Sequence, residues 1–288
     1  MLDVLTSSFH RGGEVEKKVG VVVVAAGYGM ITPGRTKLVE EIDGWPMVVH
    51  ALSAVRKAGD YPKILVVAPR FRQTIEDVLE EHGLAVGPVT VVEQAERRGA
   101  ADALRAAVPA LRALGCEAAI TVFGDMPCWR PGAIRALDEI HSRVATPISM
   151  TLISVEDVRG REGFGQFCRV LVDSAGRVIG TFEPRDARPS DEDLARAGYL
   201  NAALYALELD FFEAHVARIP PQKRTDGHPD ELHLPALVKI ARAQGVEIGV
   251  YLLRDPEQAR GVNTREELEL AREVFARRRT AFAAAYAW

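Results

Sequence analysis

The stretch Gly20–Ala51, "GVVVVAAGYGMITPGRTKLVEEIDGWPMVVHA", decides the fold. Gly20–Ala26 is apolar along its length, so a strand here buries both faces, as strands of a parallel sheet covered by helices do. The strand runs into Ala25-Ala26-Gly27-Tyr28-Gly29, then Lys37, then a helix over Met47–Ala58 that Pro46 can open. Small residues let backbone amides come close to an anion, and successive N–H groups make a concave nest for it. A lysine downstream can neutralise a phosphate. Gly27 and Gly29 are not followed by a third glycine at dinucleotide spacing, nor by Gly-Lys-Ser. Neither the Rossmann fingerprint nor the P-loop is therefore present. Taken alone, a strand followed by two glycines is equally a tight turn.

The rhythm continues outward from this stretch. Lys63–Ala68, Val89–Glu93 and Ala118–Phe123 read as strands. Arg72–His82, Ala100–Leu114 and Pro131–Val144 read as helices, and Pro109 predicts a kink or break in the second of them. Alternating strands and helices imply a Rossmann-like α/β fold of three α/β/α layers around a mostly parallel sheet. Ligands then lie beyond the carboxyl ends of the strands, where the residues after Ala26, Glu93 and Phe123 converge. Past Ile148–Ser154 the pattern changes. Phe167–Asp173 and Arg177–Glu183 form a hairpin around Ser174-Ala175-Gly176, and Tyr199–Leu207 is a further strand. Glu231–Gln244 reads as a helix, Gly249–Leu253 as a late strand and Thr264–Tyr286 as a long helix capped by Thr264 with Glu267. One continuous α/β domain with an inserted antiparallel lobe accounts for the order.

Composition bounds the function classes. The 288 residues are 48% hydrophobic and 26% charged with a net charge of -4, so no basic excess points to nucleic acid. No apolar run is long enough to cross a bilayer as a helix, and Met1–Lys18 is a mixed polar extension rather than a secretory signal. The three cysteines, Cys116, Cys128 and Cys168, lie far apart and fit reduced thiols of a cytoplasmic protein. His228 and His233, with Asp226, Asp230 and Glu231, read as a solvated loop, and Ala276–Thr280 (ARRRT) as a solvated helix end.

Three further segments can carry chemistry. Asp125, in Gly124-Asp125-Met126-Pro127, directly follows a buried strand. A carboxylate there suits Mg²⁺, which takes one or two carboxylates with phosphate oxygens and water, although a turn aspartate fits the same position. Gly163-Phe164-Gly165-Gln166, Glu183 and Asn201 fall at strand edges, where glutamate and asparagine can bind hydroxyls and amides. Asn263, in Gly261-Val262-Asn263-Thr264, precedes a helix cap and by itself reads as a turn asparagine.

In order, these segments resemble the sugar-nucleotide pyrophosphorylase family of nucleotidyltransferases, with its glycosyltransferase-A-type fold. The resemblance is strongest to the uridylyltransferase domain of bacterial N-acetylglucosamine-1-phosphate uridylyltransferases. It rests on Ala25–Gly29, on Lys37 with Gly44-Trp45-Pro46-Met47, and on Gln94-Ala95-Glu96. It continues through Gly124–Pro127, loosely Gly163–Gln166, and Gly261-Val262-Asn263. It covers roughly residues 19–276 as a nucleotidyltransferase domain, with residues 1–18 as an N-terminal extension and 277–288 as a helix end. The resemblance implies that Asp125 and Asn263 hold Mg²⁺ and that Lys37 stabilises the phosphates. Ala25, Ala26, Gly27 and Gly29 would approach the nucleotide, while Gln94 and Gly99 would bind a uracil. Gly165, Glu183 and Asn201 would hold the sugar. The implied partners are a nucleoside triphosphate and a small phosphorylated substrate; nucleic acid and membrane are not implied, and oligomerisation stays open.

This chain departs from the family at several points. Met30 and Ile31 stand where the family's loop carries an arginine, and nearby Arg35 is the candidate to replace it at the triphosphate. Gly99-Ala100 and His233-Leu234-Pro235-Ala236 each lack a hydroxyl that the family has. No hexapeptide repeat follows Phe275. The expected activity is condensation of a sugar-1-phosphate with UTP to give a UDP-sugar and pyrophosphate. A cytidylyl- or molybdenum-cofactor-type nucleotidyltransferase, or a relative that binds nucleotide without turnover, stays open beside it.

Overall fold

The computed structural model describes residues 17–27, 29–84, 89–183, 197–224 and 228–285. Tyr28, Asp226, Tyr286 and all but the last two residues of the expected N-terminal extension lie outside them. The first half alternates as its apolar pattern dictates. The strands are β1 (Val19–Ala25), a short ribbon of β2 (Glu41–Ile42) and β3 (Trp45–Pro46), β4 (Lys63–Val67), β5 (Val89–Glu93) and β6 (Ala118–Phe123). Between them run α1 (Met47–Ala58), α2 (Arg72–Glu81) and α3 (Gly99–Ala113), and α4 (Pro131–Val144) follows β6. The second half holds β7 (Ile148–Ser154), β8 (Arg169–Val172), β9 (Val178–Phe182), β10 (Tyr199–Glu208), α5 (Leu209–His215), α6 (Pro235–Ala243), β11 (Gly249–Leu252) and α7 (Arg265–Ala285).

The central sheet has the order β11-β7-β10-β6-β1-β4-β5. Its β6-β1-β4-β5 half is parallel throughout. β10 is antiparallel to both β6 and β7, and β8 and β9 extend from it as the antiparallel lobe. Period-two alternation divides each inner strand between two cores. Val21, Val23, Leu65 and Val67 pack with α1 and α4 on one face, while Val22, Ile64 and Val66 pack with α3, α5 and α6 on the other. A third cluster of Ile42, Met47, Cys128, Val262, Leu268, Ala271 and Val274 seats α7.

Three expectations change. α3 runs through Pro109 unbroken; Pro109 is exposed, so the carbonyl deprived of its amide partner can turn to water. The helix expected over 231–244 begins only at Pro235. Glu231 is extended, exchanging backbone hydrogen bonds with Gln222 (2.8 and 2.9 Å), and Leu232 donates to Arg98 and accepts from Ala101. Arg278 is not a solvated helix end: it is half-buried and donates to the Cys128 carbonyl at 2.8 Å. The Thr264–Glu267 box caps α7 as expected, with Glu267 N–H donating to Thr264 Oγ1 at 3.2 Å and Thr264 N–H to Glu267 Oε2 at 3.1 Å.

Candidate active site

A cavity of 570 Å³ opens at the carboxyl ends of β1, β5 and β6, where an open α/β sheet places its ligands. Ala25, Ala26, Gly27 and Gly29 line one side. The Lys37 backbone N–H donates to the Gly29 carbonyl at 3.2 Å, folding the loop back beneath its own lysine. The side chain of Lys37 is buried and enters the cavity.

Lys37 Nζ donates to Asp125 Oδ2 and to Asn263 Oδ1, each at 2.6 Å. Asp125 is presented by the turn after β6, in which Met126 N–H donates to the Phe123 carbonyl. Asn263 is drawn to it because Val262 N–H donates to the Asp125 carbonyl at 2.9 Å. Glu267 then accepts from Asn263 N–H at 2.6 Å. Residues 138 positions apart in the chain are thereby held on one point. Among the described residues no group of three or more His, Cys, Asp or Glu is arranged to hold a metal. A carboxylate and an amide oxygen converging on one cation position still fit a hard divalent ion that completes its shell with phosphate oxygens and water.

The opposite wall comes from the lobe. Asn201 sits where β10 bulges. Its Oδ1 accepts from Ala203 N–H at 2.9 Å, and Ala203 adopts a positive φ of 60°. Glu183 follows β9 and lines the cavity. Gln94 follows β5, with Gln94 N–H donating to the Val67 carbonyl at 2.9 Å, and Gly99 opens α3.

Of the residues singled out from the sequence, Arg35 and Gly165 do not line the cavity. Arg35 is exposed, and its guanidinium donates to the Val39 carbonyl at 3.0 Å on the outside of the turn. Gly165 lies beside Gly163 and Gln166, which do line it. The supposed solvated loop needs correction. His233 and Glu231 form part of the cavity wall, with His233 Nε2 2.9 Å from Glu231 Oε2 and Nδ1 3.8 Å from Glu183 Oε1. Arg224, which also lines the cavity, pairs with Glu231. Burial would lower the His233 pKa, but hydrogen bonding to Glu183 and Glu231 outweighs it and raises the value to about 9. The Glu231 carboxyl is held below its usual range, chiefly by that same histidine.

Residues 21–152 match the MobA-like NTP transferase domain. The bifunctional protein GlmU of Pelobacter propionicus is 28% identical over 263 residues, covering 91% of this chain and 53% of that protein. Its namesake in Sorangium cellulosum is 31% identical over 265 residues, covering 88% and 51%. The chain thus spans about half the length of the curated relatives it matches. A solved CMP:2-keto-3-deoxy-manno-octonic acid synthetase complexed with CTP superposes with a TM-score of 0.63 at 18% identity, covering 91% of this chain and 99% of that one. The inositol-1-phosphate CTP transferase from T. maritima gives 0.60 at 16% identity, covering 90% and 97%. At those identities the likeness is one of fold.

Proposed function

Since the chain belongs to the nucleotidyltransferase family, we propose that it joins UTP to an N-acetylglucosamine-1-phosphate-like sugar phosphate, giving a UDP-sugar and pyrophosphate. A phosphate oxygen of the sugar-1-phosphate attacks the α-phosphorus. The bond from that phosphorus to the bridging oxygen breaks, and pyrophosphate leaves with the electron pair. Such a transfer needs alignment and charge neutralisation rather than a covalent nucleophile. The observation that carries this reading is the convergence of Lys37, Asp125 and Asn263 at the glycine loop.

Asp125 and Asn263 would hold a divalent ion, Mg²⁺, whose charge offsets that developing on the phosphates. Lys37 supplies a fixed positive charge at the same place. Ala25, Ala26, Gly27 and Gly29 let the triphosphate lie against backbone. Glu183 and Asn201, on the far wall, would accept from and donate to sugar hydroxyls, with Asn201 near an acetamido group. Arg35 would join the triphosphate only by releasing the Val39 carbonyl.

Pyrophosphate release measured with each of the four NTPs against several sugar-1-phosphates tests the proposal. UTP with an N-acetylhexosamine-1-phosphate is the expected productive pair. Turnover with CTP alone overturns the uridylyl assignment, and nucleotide binding without any turnover overturns the transferase assignment.

A further inference from the structure

Arg260 stands three residues before Asn263 and is 9% exposed. Its guanidinium donates twice to the Glu257 carboxylate, Nε to Oε2 at 2.5 Å and Nη2 to Oε1 at 3.2 Å. Nη1 reaches across to the Glu162 carbonyl at 2.9 Å, and the guanidinium carbon lies 4.9 Å from the centre of the Phe164 ring. Glu257 also accepts from Arg161 Nη1 at 3.0 Å. The two segments meet so closely that a Cβ on Gly163 would lie 2.8 Å from Arg260 Nη1. Both reach the cavity: Gly163 and Gln166 line it from the lobe, Gly261 and Asn263 from the segment before α7. That second segment is tied in turn to the residues around Asp125. Val262 N–H donates to the Asp125 carbonyl at 2.9 Å, and Gln258 Oε1 accepts from Arg130 N–H at 3.0 Å.

A guanidinium carries five donors in a rigid plane and stacks on aromatic rings, so one side chain can fix a carboxylate, a carbonyl and a ring together. Desolvation offsets much of the attraction within a buried ion pair, so its main product here is geometry rather than stability. We infer that Arg260 is a positioning residue that clamps the loop 161–166 to the segment carrying Asn263, so that the divalent ion and the phosphorylated acceptor are bound by one rigid unit. This rests on the reading in which Asn263 holds the ion and the 163–166 loop faces the acceptor. Asn263 cannot then shift without the loop, nor the loop without Asn263.

Arg260→Gln removes the planar fork. Amide exchange in the ligand-free protein and pyrophosphate release read the consequences separately. Exchange in 159–168 and in 261–264 should quicken together, on the order of 10-fold, with β1 unchanged. The half-saturating Mg²⁺ concentration and the acceptor KM should each rise on the order of 10-fold, the usual cost of losing a group that orients a metal ligand, while the nucleotide KM at saturating metal moves by less than about threefold. Arg260→Lys, which keeps a charged donor, should recover part of both effects. A merely structural role would quicken exchange throughout and raise the nucleotide KM as well. Gly163→Ala is the second variant, because its methyl group displaces Nη1 from the Glu162 carbonyl. A change in the acceptor-side loop should then raise the Mg²⁺ requirement, and should add little to Arg260→Gln, since both break one contact. If Arg260→Gln does not fold, Gly163→Ala decides. A Mg²⁺ requirement unmoved in either folded variant overturns the inference, as does unchanged exchange in either segment. Segments that loosen together in a protein that turns over no nucleotide sink the transferase reading and leave the clamp standing.

Discussion

The Lys37 ammonium lies 2.6 Å from Asp125 Oδ2, with the lysine side chain 7% and the aspartate side chain 25% exposed. Because the pair is largely shielded, its charges act in a medium that screens them poorly. The proposed divalent ion would take the Asp125 and Asn263 oxygens that Lys37 now holds, so the ammonium would turn from them towards the phosphates as the ion binds. Lys37→Met is expected to lower kcat on the order of 10²- to 10³-fold, the usual cost of one preorganised charge-stabilising contact. Chelation should stop turnover, and added Mg²⁺ should restore it. Asp125→Asn should raise the Mg²⁺ concentration needed for half-maximal rate. Metal-titrated pyrophosphate release checks all three, and full activity in Asp125→Asn would refute the metal assignment.

The two loop glycines should respond differently to the same change. A Cβ on Gly27 meets nothing within 4 Å, whereas one on Gly29 would come within 2.8 Å of Lys37 Cδ and Cε. Lys37 cannot retreat freely, because its ammonium is pinned to Asp125 and Asn263. Gly27→Ala should leave thermal stability unchanged and weaken nucleotide binding alone, since the added methyl enters space meant for ligand. Gly29→Ala should displace the lysine and lower kcat at least tenfold. Melting curves beside steady-state kinetics separate the two; equal effects on stability would mean the loop does not hold the lysine this way.

What the sequence made legible follows from which forces are local. β5, β6, β7, α1 and α4 have the bounds their apolar periodicity dictates, because each buries a face that repeats along a few residues. The convergence of the segments after β1, β5 and β6 is equally readable, since a parallel sheet puts its strand ends together. Residue types alone do not mark Glu231 and His233 as wall residues, although His233 opens a segment the family resemblance covers. Nothing local distinguishes them from a solvated loop, and they enter the cavity because Gln222 and Arg98 hold their backbone in place. Asp102 was hidden for a related reason: within an alanine-rich amphipathic helix a lone carboxylate reads as an exposed position, and only the tertiary approach of Gln94 gives it a buried donor. Arg278 looks solvated in the sequence because the Cys128 carbonyl to which it donates lies 150 positions away.

The His233 group makes stability depend on pH with a definite sign. Its pKa in the folded protein is about 9, above its usual 6.5, because Glu183 and Glu231 favour the protonated ring. A raised pKa means that the stabilising contribution is fully present below about pH 6.5 and is lost as pH rises through about 9. Thermal stability should therefore decline between those values in the wild-type protein. His233→Gln should flatten that stretch of the curve. Parallel declines in both proteins would assign the pH dependence to other groups.

Arg35 is the remaining question posed by the glycine loop. Met30 and Ile31 occupy the place of the family's arginine, and Met30 is 45% exposed, outside the hydrophobic clusters. Arg35 is the arginine of the loop segment, but its guanidinium is engaged with the Val39 carbonyl on the outer face. To reach a triphosphate it must give up that hydrogen bond, worth about 1 kcal/mol net, which a charged ligand would repay several times over. The turn before it contains Gly34 with φ of 78°, and Arg35 N–H donates to the Thr32 carbonyl at 3.1 Å. If the arginine swings in, Arg35→Ala should lower kcat by 10²-fold or more, with the melting temperature of the ligand-free protein within a degree or two of wild type. Lys37 and the loop amides would then be insufficient alone. A loss of less than about threefold in kcat would instead leave the triphosphate to Lys37, the backbone and the divalent ion. Presteady-state measurement of the chemical step distinguishes these outcomes even if product release limits turnover.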